Sequence, residues 1–396
     1  MTTRTAQRTA QRTQTFTESV IREMTRVARE HDAVNLAQGF PDFPTPTVLK
    51  EAAVQAIRAD INQYAITWGA PRLRQALAKK YADLYGMNVD VEREITITCG
   101  ATEAMASVML AVIDPGDEVI VLEPFYENYG PDAILSSAKP VFLTLQAPDY
   151  RLERNRLAAV ITPATKAIVI NSPNNPTGRV FDREELAVVA ELCVAHDILA
   201  ITDEIYEHIH YQGRGAHVPL ATFPGMADRT ITVSGLSKTF SVTGWRVGTI
   251  VAPHDLTDAI RKVHDFLTVG APAPLQEACA VGIEELGPDY YDGLATQYRE
   301  RGEVLVEALR GAGFRCQLPQ GAYYVLADFS GLSDEDDTTF AKRLAREARV
   351  APVPGSSFFG TPGGGRTLVR FAFCKRLETL YEASERLARF AGSGAG

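Results

Sequence analysis

Cysteine is scarce in this chain of 396 residues: Cys99, Cys193, Cys279, Cys316 and Cys374 are odd in number, widely scattered and never paired as C-x-x-C. That pattern suggests neither a disulfide framework nor a zinc site, so a reduced, cytoplasmic protein without a structural metal is expected. No apolar run approaches the roughly 18 residues that span a bilayer, so no membrane span is expected. Basic charge is in deficit, with 40 Lys and Arg against 49 Asp and Glu and a formal net charge of −9. The deficit argues against a general binder of nucleic acid or anionic membrane, while leaving room for a local basic pocket. The part after about residue 285 shows no internal repeat and no linker rich in Pro, Gly or Ser. A nicotinamide oxidoreductase would need a glycine fingerprint after the first strand, and none is there. The run GTPGGGR at 360–366 has the wrong spacing and no helix pattern after it, so it reads as a flexible loop.

What is present is an ordinary globular composition, 45% hydrophobic and 22% charged, in a chain long enough for more than one core. The opening MTTRTAQRTAQRTQT repeats TAQR and carries Arg4, Arg8 and Arg12 with no acid. It lacks the apolar helix face of a transit peptide, so residues 1–15 are expected to be a flexible arm. The closing AGSGAG reads as a frayed end. From about residue 95, short β-branched runs alternate with helical patterns. The runs are 95–99, 118–122, 140–143, 167–171, 198–202, 230–234 and 248–252, and the clearest helices are 102–113 and 183–196. Several runs are apolar at nearly every position, which suits strands buried on both faces. The expected fold is therefore α/β, a mostly parallel seven-stranded sheet sandwiched by helices.

After about residue 285 the pattern changes to long helices at 295–312 and 336–348 with strand-like runs at 322–327 and 367–373. This reads as a smaller α+β domain over 285–396, after a large domain over 46–284. The segment 16–45 is too short to stand alone and is expected to pack with the small domain.

Ligands collect at the carboxyl ends of strands in open α/β sheets, and the notable motifs fall there. Cys99-Gly100-Ala101-Thr102-Glu103 runs from a strand into a helix. It is either a phosphate cradle of free N–H groups or an ordinary helix start with Thr102 as N-cap. NSPNNPTG at 171–178 specifies a rigid turn in which Asn175–Pro176 can be cis, holding Asn174 and Asn175 at the sheet edge. Asp203 ends a buried strand, where a carboxylate needs a donor or cationic partner or else caps a turn, and Tyr206 follows three residues on. In SGLSKTFSVTGWRVG, residues 234–248, Lys238 sits among small residues with Arg246 nearby. It is either a surface lysine or an imine-forming nucleophile whose pKa the second cation depresses. Arg370 lies inside the apolar run LVRFAF and needs an anion, from an internal salt bridge or from a substrate carboxylate.

A nucleophilic lysine, an acid for a ring nitrogen, a phosphate site and an arginine for carboxylate together describe a pyridoxal phosphate pocket. NNPTG, TDEIYEH and SKTFSVTGWRVG, in that order, closely resemble the class I aminotransferases of the fold-type I family, over about residues 18–388. NLAQGFPDF, NQYAITWGAPRLRQALA and PFYENYGPDAIL look most like the kynurenine/glutamine and methionine subgroups, with bacterial aspartate-type enzymes the nearest rival.

The resemblance implies that Lys238 forms the imine with pyridoxal 5′-phosphate and then moves the substrate proton. Asp203 would hold the ring nitrogen protonated, Asn175 and Tyr206 would bond the ring hydroxyl, and Tyr126 would stack on the ring. Gly100, Ala101, Thr102, Ser237 and Arg246 would hold the phosphate, joined by Tyr64 of a neighbouring subunit, which implies a homodimer with composite sites. Arg370 would clamp the substrate α-carboxylate beside the Gly39 backbone. The implied reaction moves the amino group of an L-amino acid to a 2-oxo acid such as 2-oxoglutarate by a ping-pong route.

Two positions depart from the family pattern. Gly235 stands where many relatives place a phosphate-binding hydroxyl, which Ser234 or Ser237 would replace, and Ile21 stands where kynurenine-type enzymes carry an aromatic residue. Trp68, Phe358 and Phe359 are candidates for an apolar pocket, which favours neutral, sulfur-containing or aromatic donors. A β-lyase on the same scaffold is the nearest alternative activity. A winged-helix regulator is not expected, since only a short Arg/Thr tail precedes the domain.

Overall fold

The computed structural model describes residues 9–213, 215 and 217–393. Residues 1–8 of the expected arm and the last three of the expected frayed end lie outside the described residues. Within the rest of the arm, Gln11–Gln14 form a 3-10 turn.

A seven-stranded sheet lies at the centre, in the order Ile95–Thr98, Gly248–Val251, Thr230–Gly235, Leu199–Asp203, Thr165–Asn171, Glu118–Glu123, Lys139–Thr144. Gly248–Val251 runs antiparallel to both its neighbours, and the remaining pairs are parallel. Alternation along the strands sorts side chains to two faces. Val119, Val121, Val169, Ile201 and Ile231 pack on one side with helix Ala101–Val112 and with Ile260 of helix His254–Thr268. Ile120, Leu122, Ile168, Ile170 and Ala200 face the other side and meet helix Arg183–His196. Burial on both faces is why these runs read as continuously apolar.

Local chemistry sets the helix ends. Arg183–His196 opens with a reciprocal capping box between Asp182 and Glu185. Pro71–Tyr85 has Pro at its first position and stops at Gly86 in the left-handed region. The helix expected at 295–312 begins earlier, at Pro288, because that proline with Gly287 before it makes a good helix start.

Beyond the large sheet, Val353–Pro354, Leu368–Ala372 and Tyr324–Asp328 form a three-stranded antiparallel sheet. Its core includes residues of helices Pro288–Gly311, Asp337–Glu347 and Leu377–Ser393, and also Ile21, Met24 and Ala28 of helix Val20–Glu30. Val34–Asn35 pairs in parallel with Val350–Ala351. The run 360–366 is pinned, in contrast to the flexible loop expected: buried Glu123 accepts backbone N–H bonds from Gly360 and Thr361. A buried carboxylate needs such donors, and the loop supplies them. Among the described residues no helix is long and apolar enough to cross a membrane.

Candidate active site

A cavity of about 440 Å³ opens at the carboxyl ends of the parallel strands. Its wall contains Lys238, Asp203, Tyr206, Asn175, Tyr126, Ala101, Thr102, Ser237, Arg246, Gly39 and Arg370, gathered from across the chain. A larger hollow of about 880 Å³ lies beside Lys80 and Glu207 and does not include Lys238. Those two charges already pair with each other at 2.6 Å, and the phosphate cradle and Arg370 are absent from its wall.

Lys238 sits in the turns between strands Thr230–Gly235 and Gly248–Val251, partly buried, with Nζ donating to the Gly39 carbonyl at 3.2 Å. Burial pulls its pKa down to about 8; Cys374 and Asp203 oppose the shift, while Arg246 and Arg370 add to it. The lysine therefore has access to its neutral, nucleophilic form near physiological pH.

Asp203 is the last residue of its strand and is 7% exposed. Burial pushes its carboxyl pKa up, against hydrogen bonds from the Tyr129 hydroxyl at 2.6 Å and the Ile205 N–H at 3.1 Å. Asn171 donates to the Asp203 backbone carbonyl at 2.9 Å and accepts the Asn175 N–H at 2.8 Å, tying the NSPNNPTG turn to the strand beside it. Asn175–Pro176 is cis.

Arg370 is fully buried, between Val353 and Leu326 in the small sheet. Nη1 donates to Asn175 Oδ1 at 2.8 Å and Nη2 to the Ala37 carbonyl at 2.5 Å, while Nε has no partner. The guanidinium lies over the Tyr324 ring at 4.2 Å and the Phe358 ring at 4.9 Å. Among the described residues no carboxylate pairs with it, so the internal salt bridge considered from sequence is not formed. A buried cation held only by neutral groups is expensive, and the cavity it lines gives an anion access to it.

At the opposite end, Gly100 rather than Thr102 is the N-cap of helix Ala101–Val112, at φ +81° and without a side-chain cap bond. The helix therefore starts one residue earlier than its apolar period suggests and presents an uncapped N-terminus. Arg246 crosses this end and donates to the Thr243 carbonyl at 3.0 Å. A Cβ on residue 100 would fall on the Arg246 guanidinium, the movable end of a long side chain, so it is the positive φ that calls for glycine here.

Ser234 Oγ bonds the Glu204 carbonyl and Glu207 Oε1 at 3.2 and 3.1 Å, away from the cavity. Ser237 is the serine of this stretch that lines it. A side chain at Gly235 would press within 3.0 Å of the Val247 carbonyl.

One expectation, Tyr64, calls on a neighbouring subunit, and another is not met. Tyr64 is 85% exposed and does not line the cavity. Trp68, Phe358 and Phe359 do not line it either. Trp68 stacks beneath Arg261 at 4.9 Å, Phe358 packs behind Arg370, and Phe359 is covered by the glycines of the 360–366 turn. Ile21, Phe40 and Met105 supply apolar wall instead.

Sequence reasoning missed Tyr129, whose hydroxyl reaches Asp203, and Tyr324, whose hydroxyl lies 3.0 Å from that of Tyr206. It also missed Ser19, Arg22 and Glu127 at the cavity edge, where Ser19 Oγ donates to Glu127. Tyr129 carried the only local signal, three residues after Tyr126 in PFYENYG.

A family model described as aminotransferase class I and II matches residues 31–387. The methionine aminotransferase of Escherichia coli (strain K12) is 36% identical over 93% of this chain and 95% of its own length. The human kynurenine–oxoglutarate transaminase 1 is 35% identical over 93% and 94%. The solved structure of N-succinyldiaminopimelate aminotransferase from Mycobacterium tuberculosis superposes with a TM-score of 0.93 at 38% identity, covering 96% of this chain and 99% of that one.

Proposed function

The chain belongs to the aminotransferase class I and II family and is a pyridoxal phosphate-dependent transaminase, and on that premise we propose its donor, its acceptor and the work of its residues. The donor is a neutral L-amino acid, sulfur-containing or aromatic, and the acceptor is a 2-oxo acid such as 2-oxoglutarate. The observation that carries this reading is Arg370, a buried guanidinium that has no counter-anion among the described residues, on the wall of the cavity that holds the Lys238 amine.

The residues present fit the cofactor. The uncapped helix start beside Arg246 suits its phosphate, and buried Asp203 suits a protonated ring nitrogen. When bound, pyridoxal phosphate supplies a conjugated ring that takes up the electron pair of the breaking Cα–H bond.

The chain's own groups do the rest. Arg370 binds the α-carboxylate of donor and acceptor in turn, and the bond to Asn175 fixes its fork. Lys238 Nζ acts as nucleophile and afterwards carries the proton from Cα, as its depressed pKa allows. Asp203 would stabilise positive charge on the ring nitrogen, and Tyr129 holds the carboxylate in place. Tyr206 and Asn175 would bond the ring hydroxyl, Tyr126 would stack on the ring, and Ser237 with Ala101, Thr102 and Arg246 would hold the phosphate; all of them line the cavity. Ile21, Phe40 and Met105 exclude water and accept an apolar donor side chain. Residues 46–284 form the cofactor-binding domain in this reading, while Gly39 and Arg370 come from the segments outside it.

A homodimer belongs to the same proposal. Tyr64 and Phe266 are 85% and 93% exposed, and a second copy would cover such surface and receive Tyr64 at its phosphate. The test is a donor panel with 2-oxoglutarate and pyruvate, following oxo acid and ammonia separately. Methionine, glutamine or aromatic donors should give amino-acid product without ammonia. Ammonia without amino-acid product would identify a β-lyase instead. Lys238→Ala should abolish both turnover and borohydride-trapped cofactor, and persistent trapping in that variant would sink the assignment.

A further inference from the structure

We propose that Arg22 is the receptor for the distal carboxylate of a dicarboxylic 2-oxo acid, making 2-oxoglutarate a better acceptor than pyruvate. The inference rests on the transaminase reading above and goes beyond it by naming what selects the acceptor.

Four cations line the cavity: Arg22, Lys238, Arg246 and Arg370. Three have work in the proposed reaction, at the imine, the phosphate and the α-carboxylate. Arg22 has none. It stands in the first turn of helix Val20–Glu30, next to Ile21 on the cavity wall, and its side chain is exposed.

The acids around it are already engaged. Glu18 is held by Arg26 at 2.7 Å, Glu23 by Lys342 at 2.7 Å, and Glu127 accepts from Ser19. Among the described residues Arg22 forms no ion pair, so its planar fork is free for an incoming carboxylate.

The placement answers a demand of the chemistry. One cavity must accept a donor with an apolar side chain and then an acceptor bound through the same Arg370. A neutral side chain lies against Ile21, Phe40 and Met105 and leaves Arg22 hydrated, while a second carboxylate reaches past that wall to Arg22. Glu127, which lines the same cavity, opposes this attraction and sets a second, independent prediction of opposite sign.

The experiment uses holoenzyme of the wild type, Arg22→Gln, Arg22→Lys and Glu127→Gln with a single neutral donor. The ratio of kcat/KM for 2-oxoglutarate to that for pyruvate should fall roughly tenfold in Arg22→Gln, mainly through KM, for the loss of one charge-assisted bond. Arg22→Lys should retain part of the preference, and Glu127→Gln should raise it. Calorimetry should show the same order for glutarate over butyrate, two unreactive acids that need no turnover.

An unchanged acceptor ratio and unchanged glutarate binding in Arg22→Gln, with an active wild type, would overturn the inference. An equal loss for both acceptors would overturn it as well, showing a structural role only. A wild type that transfers no amino group would remove the transaminase reading. Arg22-dependent glutarate binding would still report on this residue separately.

Discussion

Replacing Tyr129 with phenylalanine tests how the site keeps a buried carboxylate charged. Asp203 is 7% exposed, and its side chain has two protein donors, the Tyr129 hydroxyl at 2.6 Å on Oδ2 and the Ile205 N–H at 3.1 Å on Oδ1. Phenylalanine keeps the ring that packs against one face of the seven-stranded sheet and removes a single oxygen, leaving Oδ2 without its protein donor. A hydrogen bond to a charged group contributes about 1.5–3 kcal/mol, which corresponds to a loss of roughly 10- to 150-fold in kcat/KM.

The sign of the pH effect follows from the same bond. Burial raises the Asp203 pKa and the Tyr129 bond lowers it, so Tyr129→Phe lets it rise further. Asp203 must be ionised to hold a protonated ring nitrogen, so the acid limb of the kcat/KM profile should move to higher pH. Steady-state kinetics from about pH 5 to about pH 9, with cofactor affinity measured alongside, reads both effects. A kcat/KM within twofold of wild type, with an unmoved acid limb, would refute the reasoning.

Two further outcomes are expected. In apoprotein, capture of pyridoxal phosphate by Lys238 should follow the neutral amine, rising with pH through about 8 and levelling above it. Borohydride trapping at short times measures the rate, and a midpoint near that of an ordinary lysine would show that burial does not act as argued. Lys80→Met should cost about 3–5 kcal/mol of stability in urea unfolding at neutral pH. It strands Glu207 beside Tyr85 and Ser234 after removing a 2.6 Å pair whose side chains are 5% and 3% exposed. Burial pushes the Glu207 pKa up, but Lys80, His208 and His217 outweigh it and hold it well below the carboxylate range. The pair therefore stabilises the fold above the unfolded carboxylate pKa and less as pH falls, so the gap to Lys80→Met should narrow below about pH 4. A difference under about 1 kcal/mol at neutral pH would count against the pair.

Much of the fold was legible because its signals are local. Strands such as Ile95–Thr98 and Thr230–Gly235 are buried at every position, and it is their β-branched Ile, Thr and Val that mark them as strands. The strand-end motifs were legible for a related reason. Gly100, Asn175, Asp203 and Lys238 each break an apolar pattern with a residue type that solvent or packing alone does not explain.

The amino-acid sequence by itself determined the alternating α/β architecture, the strand ends that carry chemistry, and the residue types placed there. Tertiary structure alone decided which of these groups meet. Tyr129 and Asp203 are 74 positions apart, Tyr206 and Tyr324 118, and Asn175 and Arg370 195. It also turned Ser234 inward to Glu207, set Trp68 beneath Arg261, and gave Arg370 no carboxylate among the described residues. Helical and strand periods are properties of neighbours along the chain. Whether an arginine in an apolar strand finds an acid depends on what folding brings within a few ångströms, and no local pattern records that distance.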